Sequence, residues 1–324
     1  MKLSQSFLLL CALGLTPGLA AADDYFVDAL HVGPGTGTPG DPFPTIQDGI
    51  DAASDGDAIF CMPGIYVERI DFDGKLITVS GMEGHETTII DADGGGVGVK
   101  FVSGETLAST LQGFTIRNGF GEGTSLANLG GGGVQVIGSG ATLRDCLIEQ
   151  CQAVLGGGLF VENGDLVLDG VIVKDNLARR GETGFPQDGD GGGMFAIGDS
   201  NVDIRGSRFE TNQAGGPGLH SIGRGGAIVA TGVQLTLHGT RFQDNIAICN
   251  QVMGSAFGGG VLVEGAEANA TIFGCTFESN EAIAREARGG GLYVDQASVD
   301  IEDVVFRGNF VLDINIEIDG EGGA

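Results

Sequence analysis

A short pattern recurs six times along this chain and restricts it to an architecture of stacked repeats. Each copy carries a Gly-Gly-Gly or Gly-Gly-Ala triplet, then an alternating apolar strand. A second strand follows, ending in Phe-x-x-Asn-x-Ala or a variant. The triplets end at Gly133, Gly158, Gly193, Ala227, Gly260 and Gly291, so successive copies lie 25, 35, 34, 33 and 31 residues apart. A period within roughly 20–50 residues marks a solenoid or array. The shortest spacing predicts one bare coil, and the longer ones the same coil with an insertion.

Aligning the copies on Cys151, Asn176, Asn212, Asn245, Asn280 and Asn309 exposes the inward faces. Three residues earlier stand Ile148, Val173, Phe209, Phe242, Phe277 and Phe306; five earlier, Cys146, Val171, Ser207, Thr240, Cys275 and Val304. Eight and ten earlier the columns are again apolar, as in Leu237 and Leu235. A period of two is the strand signal. The column six earlier holds Gly170, Gly206, Gly239 and Gly274 with Asp145 and Asp303, which predicts a bend between two strands. One coil cannot bury its own apolar face, so the coils must stack in register, about 4.8 Å apart. The expected fold is all-β, a single-stranded parallel β-helix with a phenylalanine ladder and an inward asparagine ladder. The triplets precede strands such as Val134-Gln135-Val136, not a helix N-terminus, so they are not phosphate loops.

The N-terminal part reads differently. Residues 1–22 have Lys2, an apolar run from Phe7 to Leu15 and small residues at Ala20-Ala21-Ala22, which together predict a secretory signal peptide. Residues 23–56 are expected to form an N-terminal cap, 57–318 the coils and 319–324 a short tail. Within the cap, Thr45 to Ala53 spaces Ile46, Ile50 and Ala53 as a short helix with Thr45 as N-cap. The helix would cover the open end of the solenoid. Ala58–Cys61, Lys75–Val79, Thr87–Ile90, Val97–Phe101 and Thr110–Ile116 are predicted strands of the first coils.

The formal charge of −27 repels nucleic acid and anionic membrane. Cleavage of the leader removes Lys2 and Cys11, leaving an odd set of five cysteines, against a dense disulfide framework. The reading is therefore an exported protein, secreted, periplasmic or on the cell surface, that is not inserted in a membrane.

Pro42-Phe43-Pro44-Thr45-Ile46-Gln47, Pro63-Gly64-Ile65-Tyr66-Val67-Glu68 and Gly113-Phe114-Thr115-Ile116-Arg117-Asn118-Gly119 resemble segments of right-handed parallel β-helix proteins of the pectate-lyase-like superfamily. The Gly-Gly-Gly/Ala and Phe-x-x-Asn repeats resemble those of polymorphic outer membrane proteins, which are surface adhesins. The resemblance implies a right-handed solenoid and a polysaccharide or cell-surface glycan as partner. The Asn-Thr-Asp, Gly-His-Gly and Arg-Ile-Lys runs of the polygalacturonases are not found here.

Function is expected on the outward columns and the insertions. Asp203, Arg205 and Arg208 fall on one coil, and His238 and Arg241 on the next. A uronic-acid lyase needs a cation to neutralise the substrate carboxylate and a base for the α-proton. Arg205 or Arg241 would be the cation and His238 the base, with Asp203 and Arg208 as ligand contacts. The alternative is a solvated strand exterior. The insertions all follow the Asn turn, so they emerge on one edge. They carry Arg179, Arg180, His220, Arg224, Arg285, Glu286 and Arg288. His220 and Arg224 are candidate ligand contacts. Asp188 and Asp190 are candidate calcium ligands, because carboxylates on a turn suit that ion; a plain acidic turn is the alternative. No other cofactor is implied. With no Trp and three Tyr, stacking surface for neutral sugars is scarce, which favours an acidic glycan. Three functions remain in order: a non-catalytic glycan- or surface-binding module, a lyase or hydrolase of an acidic polysaccharide, and a surface adhesin.

Overall fold

The computed structural model describes residues 22–121, 130–179, 188–216, 221–249 and 254–313. All of the expected signal peptide but Ala22, together with Arg180, His220 and the expected 319–324 tail, lies outside the described residues. The described chain is an all-β parallel solenoid. One coil shows the plan. Ile228–Thr231 leads into Gln234–His238, then Arg241–Gln243, Ile246–Cys249 and Ser255–Phe257, and Val261–Glu264 begins the next coil. Each of these strands pairs in parallel with its counterpart one coil away.

Five sheets result among the described residues. Sheet 1 has ten strands, running from Asp24–Val27 to Ser298–Glu302. Sheet 2 has nine, from Gly64–Tyr66 to Val305–Arg307. Sheet 3 has seven, from Phe120–Gly121 to Phe310–Asp313, and sheet 4 has eight, from Ile70–Asp71 to Leu292–Asp295. A four-stranded side sheet holds Gly189–Asp190, Ile222–Arg224, Ser255–Phe257 and Glu286–Arg288.

The alternating columns fall inside as the repeat requires. Leu235, Leu237, Thr240 and Phe242 are all buried, and the same register positions are buried in neighbouring coils. The bend column is left-handed: Gly239 has φ 59° and Asp145, in the same column, φ 48°. Glycine takes that conformation without a Cβ penalty. A second left-handed column, one residue before the ladder, holds Gln150, Asp175, Thr211, Asp244 and Ser279 at φ 54–55°. The expected single strand Thr110–Ile116 is two strands, Thr110–Gln112 and Thr115–Arg117, because Gly113 at φ 73° turns the chain between them. The expected Lys75–Val79 strand runs instead from Thr78 to Gly81.

The asparagine ladder is buried and continuous. Asn245 Oδ1 accepts from Asn212 N and Nδ2 at 3.1 and 2.9 Å. Its Nδ2 donates to Phe209 O and Asn280 Oδ1 at 2.8 and 2.9 Å. Within the triplets, a Cβ on Gly226 would run into the carbonyl of Gly259 and the backbone of Ile246. Neighbouring coils pass too closely there for any side chain.

Helix α1 (Ile46–Ala52) covers the N-terminal end, as its spacing predicts. Thr45 Oγ1 accepts from Asp48 N at 3.1 Å, and Ile46 and Ile50 pack into the main core beside Val27 and Ile59. Glu68 adds a second cap, taking the Ile46 and Gln47 amides at 2.8 and 3.0 Å.

All five described cysteines are free and buried. Burial pushes the Cys146 and Cys151 thiols up to about 12. At pH 8 only about one in ten thousand would be thiolate, the reactive form. Ellman's reagent at pH 8 is expected to label these thiols only after denaturant is added; rapid labelling of the native protein would contradict their packing.

Candidate functional site

The bend between sheets 1 and 2 brings most of the sequence-predicted patch together. Arg205 pairs in register with His238 on sheet 1, and Arg208 with Arg241 on sheet 2. The patch is not a set of open cations. Arg205 holds Asp203 through both its Nε, at 2.9 Å, and its Nη2. Arg208 lies 3.6 Å from Glu210, and Arg241 donates to Glu278 at 2.7 Å. The His238 ring stacks on Phe273, with centroids 5.1 Å apart. A carboxylate two residues away on the same strand therefore screens Arg205 and Arg208, and one on the strand of the next coil screens Arg241. Such exposed pairs are worth little in stability, and an incoming carboxylate can compete for them.

Arg208 belongs to an outward column, four residues before the ladder, that extends back beyond the six repeats. The outer face of sheet 2 carries a stripe in register: Ile65, Ile89, Thr115, Leu147 and Ile172, followed by Arg208 and Arg241. Beside it runs a second register column of alternating sign: Asp91, Arg117, Glu149, Lys174 and Glu210. Arg117 meets Asp91 at 2.8 Å and Lys174 meets Glu149 at 3.1 Å. His85 closes the other side, its carbonyl accepting from Thr115 Oγ1 at 2.7 Å. His85 Nδ1 is buried without a hydrogen-bond partner. From His85 and Ile89 to Arg208 and Glu210 these columns line a groove of about 450 Å³, and Arg241 lies one coil beyond Arg208, outside its lining. His85 precedes the six repeats, so alignment of the copies cannot flag it. The tell-tale signal is the aliphatic residue that recurs at the outward position of successive coils.

The insertions do emerge on one edge, but those described form the side sheet and not open loops. The side sheet packs against sheet 3, where Ala256 joins Ala247, Cys249, Ala282 and Ala284 in a buried cluster, and its Phe257 packs against a further cluster on the outer face of sheet 4, formed by Phe160, Phe195, Val229 and Leu262. Here Arg224 is clamped. It donates to both oxygens of Asp190, at 2.7 and 2.6 Å, and to Glu264 at 2.8 Å. The Asp190 hydrogen bond raises the arginine's pKa further, so it is a permanent cation. Asp188 accepts the Ile222 amide at 2.8 Å. The two candidate calcium ligands thus have other partners: both Asp190 oxygens serve Arg224. Among the described residues no three His, Cys, Asp or Glu side chains converge as metal ligands.

These features define a stacked-coil protein with outward-facing clefts on separate sheets. The chain belongs to the right-handed β-helix family, whose model, a right-handed β-helix region, matches residues 77–311. No curated protein matches the sequence. Among solved structures it is similar to a pectin methylesterase from carrot, at 14% identity over 88% of this chain and 83% of that one, with a TM-score of 0.50. A pectin methylesterase from Aspergillus niger is similar at 13% identity over 85% of each chain, TM-score 0.46. A lacto-N-biosidase from Eubacterium ramulus is 11% identical over 88% of this chain and 68% of that one, TM-score 0.40. At these identities the likeness is one of fold.

Proposed function

We propose that this chain is an exported β-helix protein that holds a linear acidic glycan along the outer face of sheet 2 without cleaving it. The observation that carries the reading is the in-register groove. Stacked strands repeat their chemistry about every 4.8 Å, so a polymer of like units can make the same contact several times. Its aliphatic floor suits the apolar faces of sugar rings. Arg208 and Arg241 at one end suit a carboxylate, which would take the place of Glu210 and Glu278. The small local cationic feature can hold one acidic residue even though the whole molecule is strongly negative. The adhesin-like repeats are in keeping with binding at a surface. The carbohydrate enzymes among the solved structures of this fold favour a glycan as the bound class.

The test is incubation of the protein with a panel of uronans, with and without Ca²⁺, read by calorimetry and by ultraviolet absorbance. Binding without product is expected. The double change Arg208→Ala with Arg241→Ala should weaken it about tenfold, a loss of the size seen for close charged contacts. His238→Ala should leave it unchanged. An unsaturated, ultraviolet-absorbing product that disappears in His238→Ala would replace the binding reading with a lyase.

A further inference from the structure

A second cleft, of about 360 Å³, opens where the side sheet meets the last strands of sheet 4. Its volume is in the lower range of small-ligand sites. The buried cluster on the outer face of sheet 4 ends there. Leu262 is buried, and the next residue in that register column is Tyr293, only partly covered. Phe257 from the side sheet stacks on Tyr293, with centroids 5.6 Å apart and planes inclined by 22°. Arg288 lies over Phe257, 5.9 Å from its centroid, and hydrogen-bonds Tyr293 Oη at 3.3 Å. Two aromatic rings therefore meet at this opening, already oriented.

The polar lining sets the ligand. Asp188, Asp190, Glu264 and Asp295 face two guanidiniums, Arg224 and Arg288. Arg224 consumes Asp190 and Glu264 in three hydrogen bonds and acts as a rigid brace. Asp295 is exposed and sits beside Glu264 in register, and Asp188 uses one oxygen on the Ile222 amide. The remaining carboxylate oxygens accept hydrogen bonds. They suit a ligand that offers hydroxyl or ammonium donors, and they repel another carboxylate. An aromatic wall beside acceptors suits the apolar face and the hydroxyl rim of a pyranose ring. A nearby ammonium would also gain from the ring faces.

We propose that this cleft is a separate sugar subsite, taking one or two residues that carry hydrogen-bond donors and no carboxylate. It stands on different residues and different sheets from the groove proposed for the acidic glycan. The acidic preference expected from the low aromatic content does not extend to it, because composition does not report that two rings meet.

The test uses the whole protein and three probes: oligomers of N-acetylglucosamine, of glucosamine and of galacturonate, followed by titration calorimetry. At least one of the first two should bind. Tyr293→Ala and Asp295→Asn should each weaken that binding roughly tenfold, the scale of a lost aromatic contact or of a lost hydrogen bond. Asp295→Asn is isosteric and exposed, so it reads the site even if Tyr293→Ala loosens the packing. The groove change Arg208→Ala with Arg241→Ala should leave this binding intact. Unaltered affinity in both cleft variants overturns the proposal, and so does a wild type that binds neither donor-only oligomer. If the cleft behaves as expected while galacturonate binds nowhere, the acidic-glycan reading falls and the subsite stands.

Discussion

Phe242→Ala is expected to destabilise the protein by about 3–5 kcal/mol, the range for a large-to-small change in a packed core. The ring is fully buried, sandwiched between Phe209 at 5.4 Å and Phe277 at 4.7 Å. Truncation removes contacts to both neighbouring coils, and the backbone ladders on either side limit collapse into the space. Phe306 is the internal control. It stacks on Phe277 at 4.8 Å but is 48% exposed in the last coil. Phe306→Ala should therefore cost well under half as much. Urea unfolding of both variants makes the comparison. Equal losses, or a near-neutral Phe242→Ala, would contradict a nearest-neighbour stack. Because repeat arrays need not unfold in one step, the slope of each transition must be compared along with its midpoint.

Asn245→Ala should also destabilise the protein, by about 1–3 kcal/mol. The change removes four hydrogen bonds and leaves the Asn212 amide without its acceptor, while Asn212 Nδ2 keeps Val173 O and Asn280 Oδ1 keeps the residue-245 amide. Each unmet buried group costs about 1–3 kcal/mol, although neighbouring losses do not add fully. Asn245→Asp separates geometry from hydrogen bonding, since it keeps the shape but loses both Nδ2 donors. It should also be strongly destabilising. A tolerated Asn245→Ala that nonetheless loses a ligand would turn this ladder from a scaffold into a binding element.

The inward half of this molecule could be read from the chain. Leu235, Leu237, Thr240 and Phe242 recur at fixed offsets from Asn245, because inward side chains must match the same positions one coil away. The glycines at the first bend were legible for the same reason: a left-handed residue is cheapest without a Cβ. The second bend was not, because Gln150, Asp175, Thr211, Asp244 and Ser279 fill it with five side chains in the same conformation. Local contacts offset their strain, such as Thr211 Oγ1 to Asp175 Oδ1 at 2.6 Å.

The outward half was decided by stacking. Arg205 and His238 could be placed side by side by counting, but not the carboxylates that occupy Arg208 and Arg241. Glu149, Lys174 and Glu210 stand at one offset from the ladder, but Asp91 and Arg117 precede the six copies, so the alignment could not show the full alternation. Nor could spacing show that the insertions pair into a sheet of their own, bury Leu262 and bring Phe257 against Tyr293. The sequence alone determined the period, the parallel coils and the inward ladders, since an alternating strand dictates its own faces. The tertiary structure alone decided the groove, the cleft and the fate of each charge, since those depend on which residues from different coils arrive at the same height.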